Sequence, residues 1–261
     1  MKWSFYALLT PLVFLVIFLL TPLMTLIFFS VCKYDPFQLV VQTLTIENYA
    51  RFFREPFYVG VFAYTLKLSL VVTLLTLLIG YPLAYALART TSARRAIPIF
   101  LLYLPLMVGI VPRTYGWFVI LGAKGILNQV LLGLGMISKP LPLLFTTSAV
   151  VIALVELFMS FMVLPIMSAI ENVDPSLEEA ASSLGANKLT VFWKVVLPLS
   201  IPGVLSGTLM VFALTMSSAV TPMLLGAPSD ITLGTLVYQH VAISTNWPFA
   251  TAISVIIFTF V

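Results

Sequence analysis

Glu156 is the residue whose type and position most clearly suggest chemistry inside a membrane. It is the one acid within the predicted apolar spans of this sequence. A charge held in lipid is costly, so such an acid should face the interior of a helix bundle or a watery path. There it could attract a cationic solute. The alternatives are an acid that hydrogen-bonds between helices, or one in contact with Lys67.

Aromatic and hydroxyl side chains in neighbouring spans could support the same chemistry. Tyr81 and Tyr85 lie in the second predicted span, and aromatic faces bind alkylammonium groups. Ser217 and Ser218 form a polar patch in the fifth. We expect these four residues to line a solute path together with Glu156. The alternatives are tyrosines that mark a membrane interface and serines that hydrogen-bond between helices.

Several kinds of site are disfavoured by what the sequence lacks. Cys32 is the only cysteine and His240 the only histidine, which excludes an internal disulfide and argues against a zinc site or a histidine-based triad. The phosphate-binding pattern G-x-x-x-x-G-K-[ST] does not occur either. We therefore expect no metal, no cofactor and no ATP hydrolysis in this chain.

The composition requires lipid as the solvent for much of the chain. Hydrophobic residues make up 61% of it and charged residues 8%, whereas soluble domains carry about 25% charged residues. The net charge of +4 does not indicate nucleic-acid binding, because lysine and arginine of membrane proteins gather in loops and at helix ends. The 261 residues are predicted to form a single membrane domain.

Six apolar stretches are predicted to cross the membrane, since a spanning helix needs roughly 20 apolar residues. They are about 7–31, 61–88, 97–121, 146–170 and 201–225, and a sixth that begins near Pro248. The sixth is still apolar at Val261, so we expect that helix to continue beyond this sequence. The first stretch is longer than the apolar region of a signal peptide and no small-x-small cleavage site follows it, so a retained helix is expected.

The orientation does not follow from the number of positive charges, because they divide evenly between the two sides. Their density favours a cytoplasmic amino terminus. The short loop 89–95 holds three arginines and no acid, whereas segment 32–60 balances its basic residues with acids.

The loop 171–198 between the fourth and fifth spans holds two predicted amphipathic helices. Asp174 is a suitable N-cap before Pro175, and Gly185 a natural stop, which predicts a helix over 175–184. A second helix is predicted to begin at the cap Asn187 and to end at Pro198. Apolar side chains recur on one face of each helix: Leu177, Ala180, Ala181 and Leu184 in the first, and Leu189, Phe192, Trp193 and Val196 in the second.

This loop is longer than a connection requires. One interpretation is a docking element for another protein. The other is a pair of helices that lie on the membrane surface. Periodicity alone does not separate the two.

A resemblance to a known family favours the docking element. Glu179-Ala180-Ala181 is followed after three residues by Gly185, and after nine more by Val-Val-Leu-Pro at 195–198. This resembles the EAA loop of ABC importer permeases, whose pattern is Glu-Ala-Ala, three residues, Gly, nine residues and Ile-x-Leu-Pro. Valine in place of isoleucine is the one departure.

The resemblance implies an all-α, type I ABC importer permease fold in which the loop forms a cytoplasmic coupling helix. This helix would insert into a cleft of an ATP-hydrolysing subunit, which also places the amino terminus in the cytoplasm. The residues implied in docking are Leu177, Glu178, Glu179, Ala180, Ala181, Leu184, Gly185 and Ala186.

The resemblance also implies the partners. They are two ATP-binding subunits, which hold ATP and magnesium, a second permease subunit, a periplasmic substrate-binding protein and the lipid of a bacterial inner membrane. Polyamine systems of this family pair two different permeases, so a heterodimer is expected, although the sequence leaves a homodimer open.

Four further segments, 164–174, 219–226, 235–238 and 246–250, resemble permeases of the spermidine/putrescine type. They imply import of a polyamine delivered by the binding protein. The same machinery for an opine, an amino-phosphonate or another small solute is the alternative. An ATP-independent secondary transporter would need matching inverted halves, which the sequence does not show.

Overall fold

The computed structural model describes residues 2–90 and 92–261, with the side chains of 2–12, 15 and 92–94 left undescribed. The chain is 75% helical. Helices suit a membrane, because their backbone groups bond to one another where no water is present. In chain order the elements are α1 (Lys2–Ser30), β1 (Cys32–Lys33), β2 (Val41–Leu44), α2 (Glu47–Arg54), α3 (Pro56–Ala88), α4 (Ser92–Met107), α5 (Ile110–Leu121), α6 (Ile126–Gly133), α7 (Thr147–Glu171), α8 (Pro175–Ser183), α9 (Lys188–Val191), a π-helical turn (Phe192–Val196), α10 (Leu197–Met216), α11 (Val220–Leu225), α12 (Leu233–Ala242) and α13 (Trp247–Phe260).

The predicted all-helical membrane fold is confirmed, but the described helices do not all span a bilayer by their own length. Within residues 2–90 and 92–261, four are long and apolar enough: Pro56–Ala88, Ile110–Gly133, Thr147–Glu171 and Lys188–Met216. Shorter apolar helices cover Val16–Ser30, Arg95–Met107 and Trp247–Phe260. The second and fourth predicted spans match α3 and α7 closely.

The described chain divides into two compact units. One comprises the residues up to Phe62 together with Leu233–Phe260, and in it α13 packs against α1, α2 and α12. The other is Ala63–Thr232, in which α7 contacts α4, α5, α10 and α11. The expectation of a single domain stays a prediction.

Close packing of α7 against α10 depends on two glycines four residues apart. A Cβ atom on Gly203 would stand 2.5 Å from the Cβ of Ala169 and 2.6 Å from the carbonyl oxygen of Pro165. A Cβ atom on Gly207 would stand 3.0 Å from the Sδ of Met162. Small residues at this spacing let two membrane helices approach until their backbones touch. The G-x-x-x-G pattern was not used in predicting the fold.

The third predicted span, 97–121, is wrong as a single helix. The chain leaves the helix after Met107 and re-enters it at Ile110, with Gly109 in an extended conformation. Pro112 has no N–H to donate to the carbonyl of the residue four positions earlier, which favours a break there. Membrane spans that contain several prolines are therefore poorly delimited by hydropathy alone.

The fifth predicted span, 201–225, is wrong at both ends. The helix begins at Lys188 and continues through the π-helical turn into α10, which ends at Met216. The prediction that the preceding helix ends at Pro198 is wrong. In the π-helical turn Leu197 donates to the carbonyl of Phe192, and such local changes of register let a membrane helix continue through a proline.

A small antiparallel hairpin, β1 paired with β2, follows α1 and was not predicted. It is held by Asn48, whose side-chain amide donates to the carbonyl oxygens of Ser30 and Cys32 at 2.9 Å each. The amide thus satisfies the last carbonyl of α1, which has no partner within the helix, and joins it to β1.

Arg51 organises a cluster of aromatic and ionisable side chains in the same unit. Its guanidinium donates to Glu55 at 2.9 Å and to the Tyr58 hydroxyl at 3.1 Å, and lies 4.8 Å from the centre of the Phe249 ring. His240 meets the same ring edge-on at 4.9 Å between centres. Burial, together with the positive charge of Arg51, lowers the pKa of His240 below its ordinary value.

We predict that Gly203→Ala lowers the thermal unfolding midpoint of the purified protein. Overpacking of this kind costs about 1–3 kcal/mol, and the backbone of α7 cannot move aside as a flexible side chain could. The matched control is Gly60→Ala, since a Cβ atom there meets nothing within 4 Å. Equal midpoints for the two variants would contradict the proposed role of the close approach.

We also predict that acidification destabilises the protein partly through His240. Because its pKa is lowered in the folded state, the unfolded chain binds the proton more readily, and stability is lost as the pH falls through and below about 6.5. The measurement is the thermal unfolding midpoint at one pH above 6.5 and one below it. The difference between the two midpoints should be smaller for His240→Gln than for the unaltered protein. An equal loss in both would refute the assignment.

Candidate docking loop and membrane cleft

The start of α8 is fixed by the predicted cap. The carboxylate of Asp174 accepts a hydrogen bond from the Ser176 N–H at 2.9 Å, and Pro175 occupies the first helical position. This bond stabilises the charged form and lowers the pKa of Asp174. The prediction of this helix start is confirmed.

The end of α8 is equally well defined. Gly185 has a φ of +86°, which favours glycine. Its N–H donates to the carbonyl of Ser182 at 3.0 Å, and the Ala186 N–H donates to that of Ala181 at 3.1 Å. This pair of bonds is the Schellman arrangement, which satisfies the last carbonyls of a helix. The helix ends at Ser183, one residue before the predicted end.

The loop then turns directly into the next helix. Asn187 caps it as predicted, since its side-chain oxygen accepts from the Thr190 N–H at 2.8 Å. Three residues separate the end of α8 at Ser183 from this cap. The local bonds therefore hold α8 at a fixed angle to the start of α9.

Side chains of α8 divide between an inner and an outer face. Ala181 and Ala186 pack against the apolar core of their unit. Leu184 is 89% exposed and Leu177 is 47% exposed, and Glu179 is exposed with them. The predicted apolar stripe is thus split, because Ala181 packs against the core whereas Ala180 and the two leucines are exposed. Exposed leucines beside a surface glutamate are suited to contact with another protein.

Glu178 differs from its neighbour Glu179. It accepts a bond from Arg89 at 2.5 Å and another from the Tyr85 hydroxyl at 3.0 Å. Tyr85 and Glu178 line a cleft of about 640 Å³ on the loop, together with Glu179 and Lys188. The loop is therefore attached to the end of α3 by a charged contact.

Tyr81 lies one turn deeper in α3. Its hydroxyl and that of Ser200 are 2.8 Å apart, and its ring meets Phe192 edge-on at 5.4 Å between centres. The structure therefore places Tyr81 and Tyr85 beside the loop and away from Glu156. Their proposed contact with a solute stays a prediction.

Glu156 lies at a second cleft, of about 420 Å³, between helices of the same unit. Its side chain is 35% exposed, yet its Oε2 atom is buried without a hydrogen-bond partner. The cleft is mostly apolar and is lined by Leu75, Ile79, Leu101, Leu102, Pro105, Trp117, Val151, Ile152, Val155, Glu156, Met159 and Ser160.

The charge nearest to Glu156 is Arg113 and not Lys67, which is exposed on α3. The Nε of Arg113 lies 4.0 Å from Oε2 of Glu156, and one of its terminal nitrogens donates to the Pro105 carbonyl at 2.7 Å. Arg113 was not predicted at this cleft, because the break between α4 and α5 was not foreseen. The sequence feature that could have indicated this position is an arginine next to Pro112 within an apolar stretch.

Ser217 and Ser218 lie in the interruption between α10 and α11. Ser217 is exposed, and Ser218 is buried with its carbonyl accepting from the Thr232 hydroxyl at 3.0 Å. The predicted polar patch is therefore a break in the helix. No described contact connects these serines with Glu156.

Comparison with known proteins decides which family carries this loop and cleft. The family described as binding-protein-dependent transport system inner membrane component matches residues 68–261. The chain belongs to this family. It is a permease, a membrane component of an ABC importer.

The permease is 39% identical over 241 residues to the spermidine/putrescine transport system permease protein of Haemophilus influenzae, covering 92% of this chain and 84% of that protein. It is 36% identical over 241 residues to the protein of the same name from Escherichia coli K12, covering 92% and 87%.

Among solved structures, the permease resembles a chain of a bacterial alginate ABC transporter in complex with its alginate-bound periplasmic protein. The TM-score is 0.78 at 20% identity, and the match covers 99% of this chain and 90% of that one. At this identity the likeness shows the fold alone.

Membership of this family settles three expectations. The permease is a multi-pass protein of the inner membrane, and it is not an enzyme, since ATP hydrolysis belongs to separate subunits. Its partners are of the general kind predicted, the other components of a binding-protein-dependent importer. The ATP-independent secondary transporter is excluded.

Proposed function

We propose that this permease forms half of a translocation path for a polyamine such as putrescine or spermidine. The observation that supports this most directly is Glu156 at the wall of an apolar cleft. Its Oε2 atom is buried and has no hydrogen-bond partner, so an alkylammonium group could supply one. The relatives named for spermidine/putrescine transport support the same solute class.

The shape of the cleft suits a flexible diamine. Its lining is mainly aliphatic, with Trp117 as the one aromatic ring. Methylene groups would lie against the aliphatic side chains while an ammonium group reaches Glu156. Aromatic faces attract such cations by about 0.5–2 kcal/mol. Trp117 therefore offers a second, weaker contact for the charged end.

Arg113 beside Glu156 supports a second candidate solute. Its separation of 4.0 Å is at the outer limit of an ion pair, and the guanidinium is bonded to the Pro105 carbonyl. A solute that carries both an amine and an acidic group, such as an amino-phosphonate or an opine, could use the two charges together. Uptake of such a solute in preference to putrescine would favour this candidate.

For coupling, we propose that α8 docks into a cleft of an ATP-binding subunit on the cytoplasmic side. Leu177, Glu179 and Leu184 would form the contact, because they face away from the core. Gly185 and Ala186 would set the angle at which the helix is presented. This orientation places the amino terminus in the cytoplasm.

The complete importer would contain two permease subunits of different sequence, two ATP-binding subunits and a periplasmic binding protein. ATP and magnesium would be held by the ATP-binding subunits. Their closure would move the docked α8 helices and shift the permease pair between inward- and outward-facing states, in the way that a ligand biases a two-state equilibrium.

We predict that Glu156→Gln reduces putrescine uptake roughly tenfold or more, as expected when a charge-assisted bond of about 1.5–3 kcal/mol is lost. The measurement is uptake by proteoliposomes that contain the complete importer. Glu47→Gln is the control, since this glutamate is exposed in α2. Unchanged uptake by Glu156→Gln would refute the role of the cleft.

We predict that Leu184→Asp reduces the affinity for the ATP-binding subunits about thirtyfold, the effect of losing an interface side chain worth about 2 kcal/mol. Retention of these subunits during purification of the complex is the measurement. Leu44→Asp is the matched control, because Leu44 is 73% exposed outside the loop. Equal retention for both variants would contradict docking through α8.

A further inference from the structure

Two ion pairs attach the turn between α7 and α8 to neighbouring helices. Arg89, at the end of α3, binds Glu178 in the first turn of α8 at 2.5 Å. Arg95, near the start of α4, binds Glu171, the last residue of α7. Each pair therefore joins residues more than 70 positions apart in the sequence.

The Arg89 contact holds both sides of the turn. The nitrogen that binds Glu178 also donates to the carbonyl of Val173 at 3.2 Å, just after the end of α7. A cation at a helix carboxyl end is favourable because the last carbonyls carry partial negative charge. Tyr85, one turn earlier in α3, adds its bond to the other carboxylate oxygen of Glu178.

Partial burial makes this contact more rigid than a surface ion pair. The side chains of Arg89 and Glu178 are 21% and 19% exposed. By contrast, those of Arg51 and Glu55, an ion pair within one stretch of chain, are 44% and 47% exposed. Bonds between charged groups strengthen and hold their geometry when water is partly excluded.

The adjacent glutamates of the loop consequently have different orientations. Glu178 is directed inward, and its carboxylate accepts bonds from Tyr85 of α3 and from Arg89, which directly follows α3. Glu179 is exposed at the surface of α8. Of the two, only Glu179 is available to a partner without breaking a contact within the permease.

From these contacts we propose that Arg89 and Glu178 are positioning residues that transmit displacement of α8 to α3. The proposal rests on the proposed docking of α8 and assigns the two glutamates separate tasks. Glu179 faces the ATP-binding subunit, whereas Glu178 connects the docked helix to the membrane helix. Arg95 and Glu171 make the corresponding connection to α4.

The test is the ratio of solute transported to ATP hydrolysed. Proteoliposomes of the complete importer are supplied with putrescine-loaded binding protein, and putrescine uptake and phosphate release are measured in the same vesicles. Glu178→Gln should lower this ratio roughly fivefold or more, the lower end of typical coupling between sites. Retention of the ATP-binding subunits should remain that of the unaltered complex.

A double-mutant cycle tests whether the two residues act as one contact. Arg89→Gln should lower the ratio as Glu178→Gln does, and the double variant should be no worse than the poorer single variant. Losses that multiply in the double variant would overturn the proposal. Glu55→Gln is the matched control, since it breaks the exposed pair with Arg51 and should leave the ratio unchanged.

Three further outcomes of these measurements test the proposed link between α8 and α3. If Glu178→Gln does not accumulate in the membrane, Tyr85→Phe removes one bond to the same carboxylate and should lower the ratio about twofold. An unchanged ratio in the variant that accumulates overturns the inference and leaves the proposed function standing. An unaltered complex that neither imports putrescine nor hydrolyses ATP in response to it would refute both.

Discussion

The need to satisfy every backbone polar group without water is the constraint on which this structure depends. Regular helices meet it within themselves, and each interruption requires a substitute from elsewhere in the chain. Arg113 donates to the Pro105 carbonyl beside the break between α4 and α5. The Thr232 hydroxyl donates a hydrogen bond to the Ser218 carbonyl beside the break between α10 and α11. At these two breaks, polar side chains therefore lie where backbone carbonyls lack a partner within a helix.

The same constraint explains why the candidate cleft is formed at a broken helix. Pro105 lies in its wall, and the arginine that bonds to this proline's carbonyl also lies 4.0 Å from Glu156. Ser160 of α7 donates to the Leu102 carbonyl in the same wall. The side chains that stabilise the break therefore also set the polarity of the cleft. A solute that binds there would have to compete with, or complement, these structural bonds.

Close packing and charge pairing have separate tasks in the second unit. Gly203 and Gly207 let α10 approach α7 until their backbones touch, which makes these two helices a rigid pair. The charged contact at Arg89 then attaches the α7–α8 turn to α3. If α8 docks as proposed, these contacts would make it move together with the helices that hold it. Short, capped helices without this attachment would move independently of the membrane helices.

The sequence by itself determined the membrane class, the family and the local structure of the docking loop. Composition is a property of the sequence itself. Helix caps and glycine stops depend only on a few neighbouring residues, so the roles of Asp174, Gly185 and Asn187 could be predicted from the sequence. Only the tertiary structure decided where the proline-containing spans break, that Glu178 and Glu179 face differently, and that Glu156 meets Arg113 instead of Lys67. Those features depend on which distant helices meet, and hydropathy and helical periodicity describe one segment at a time.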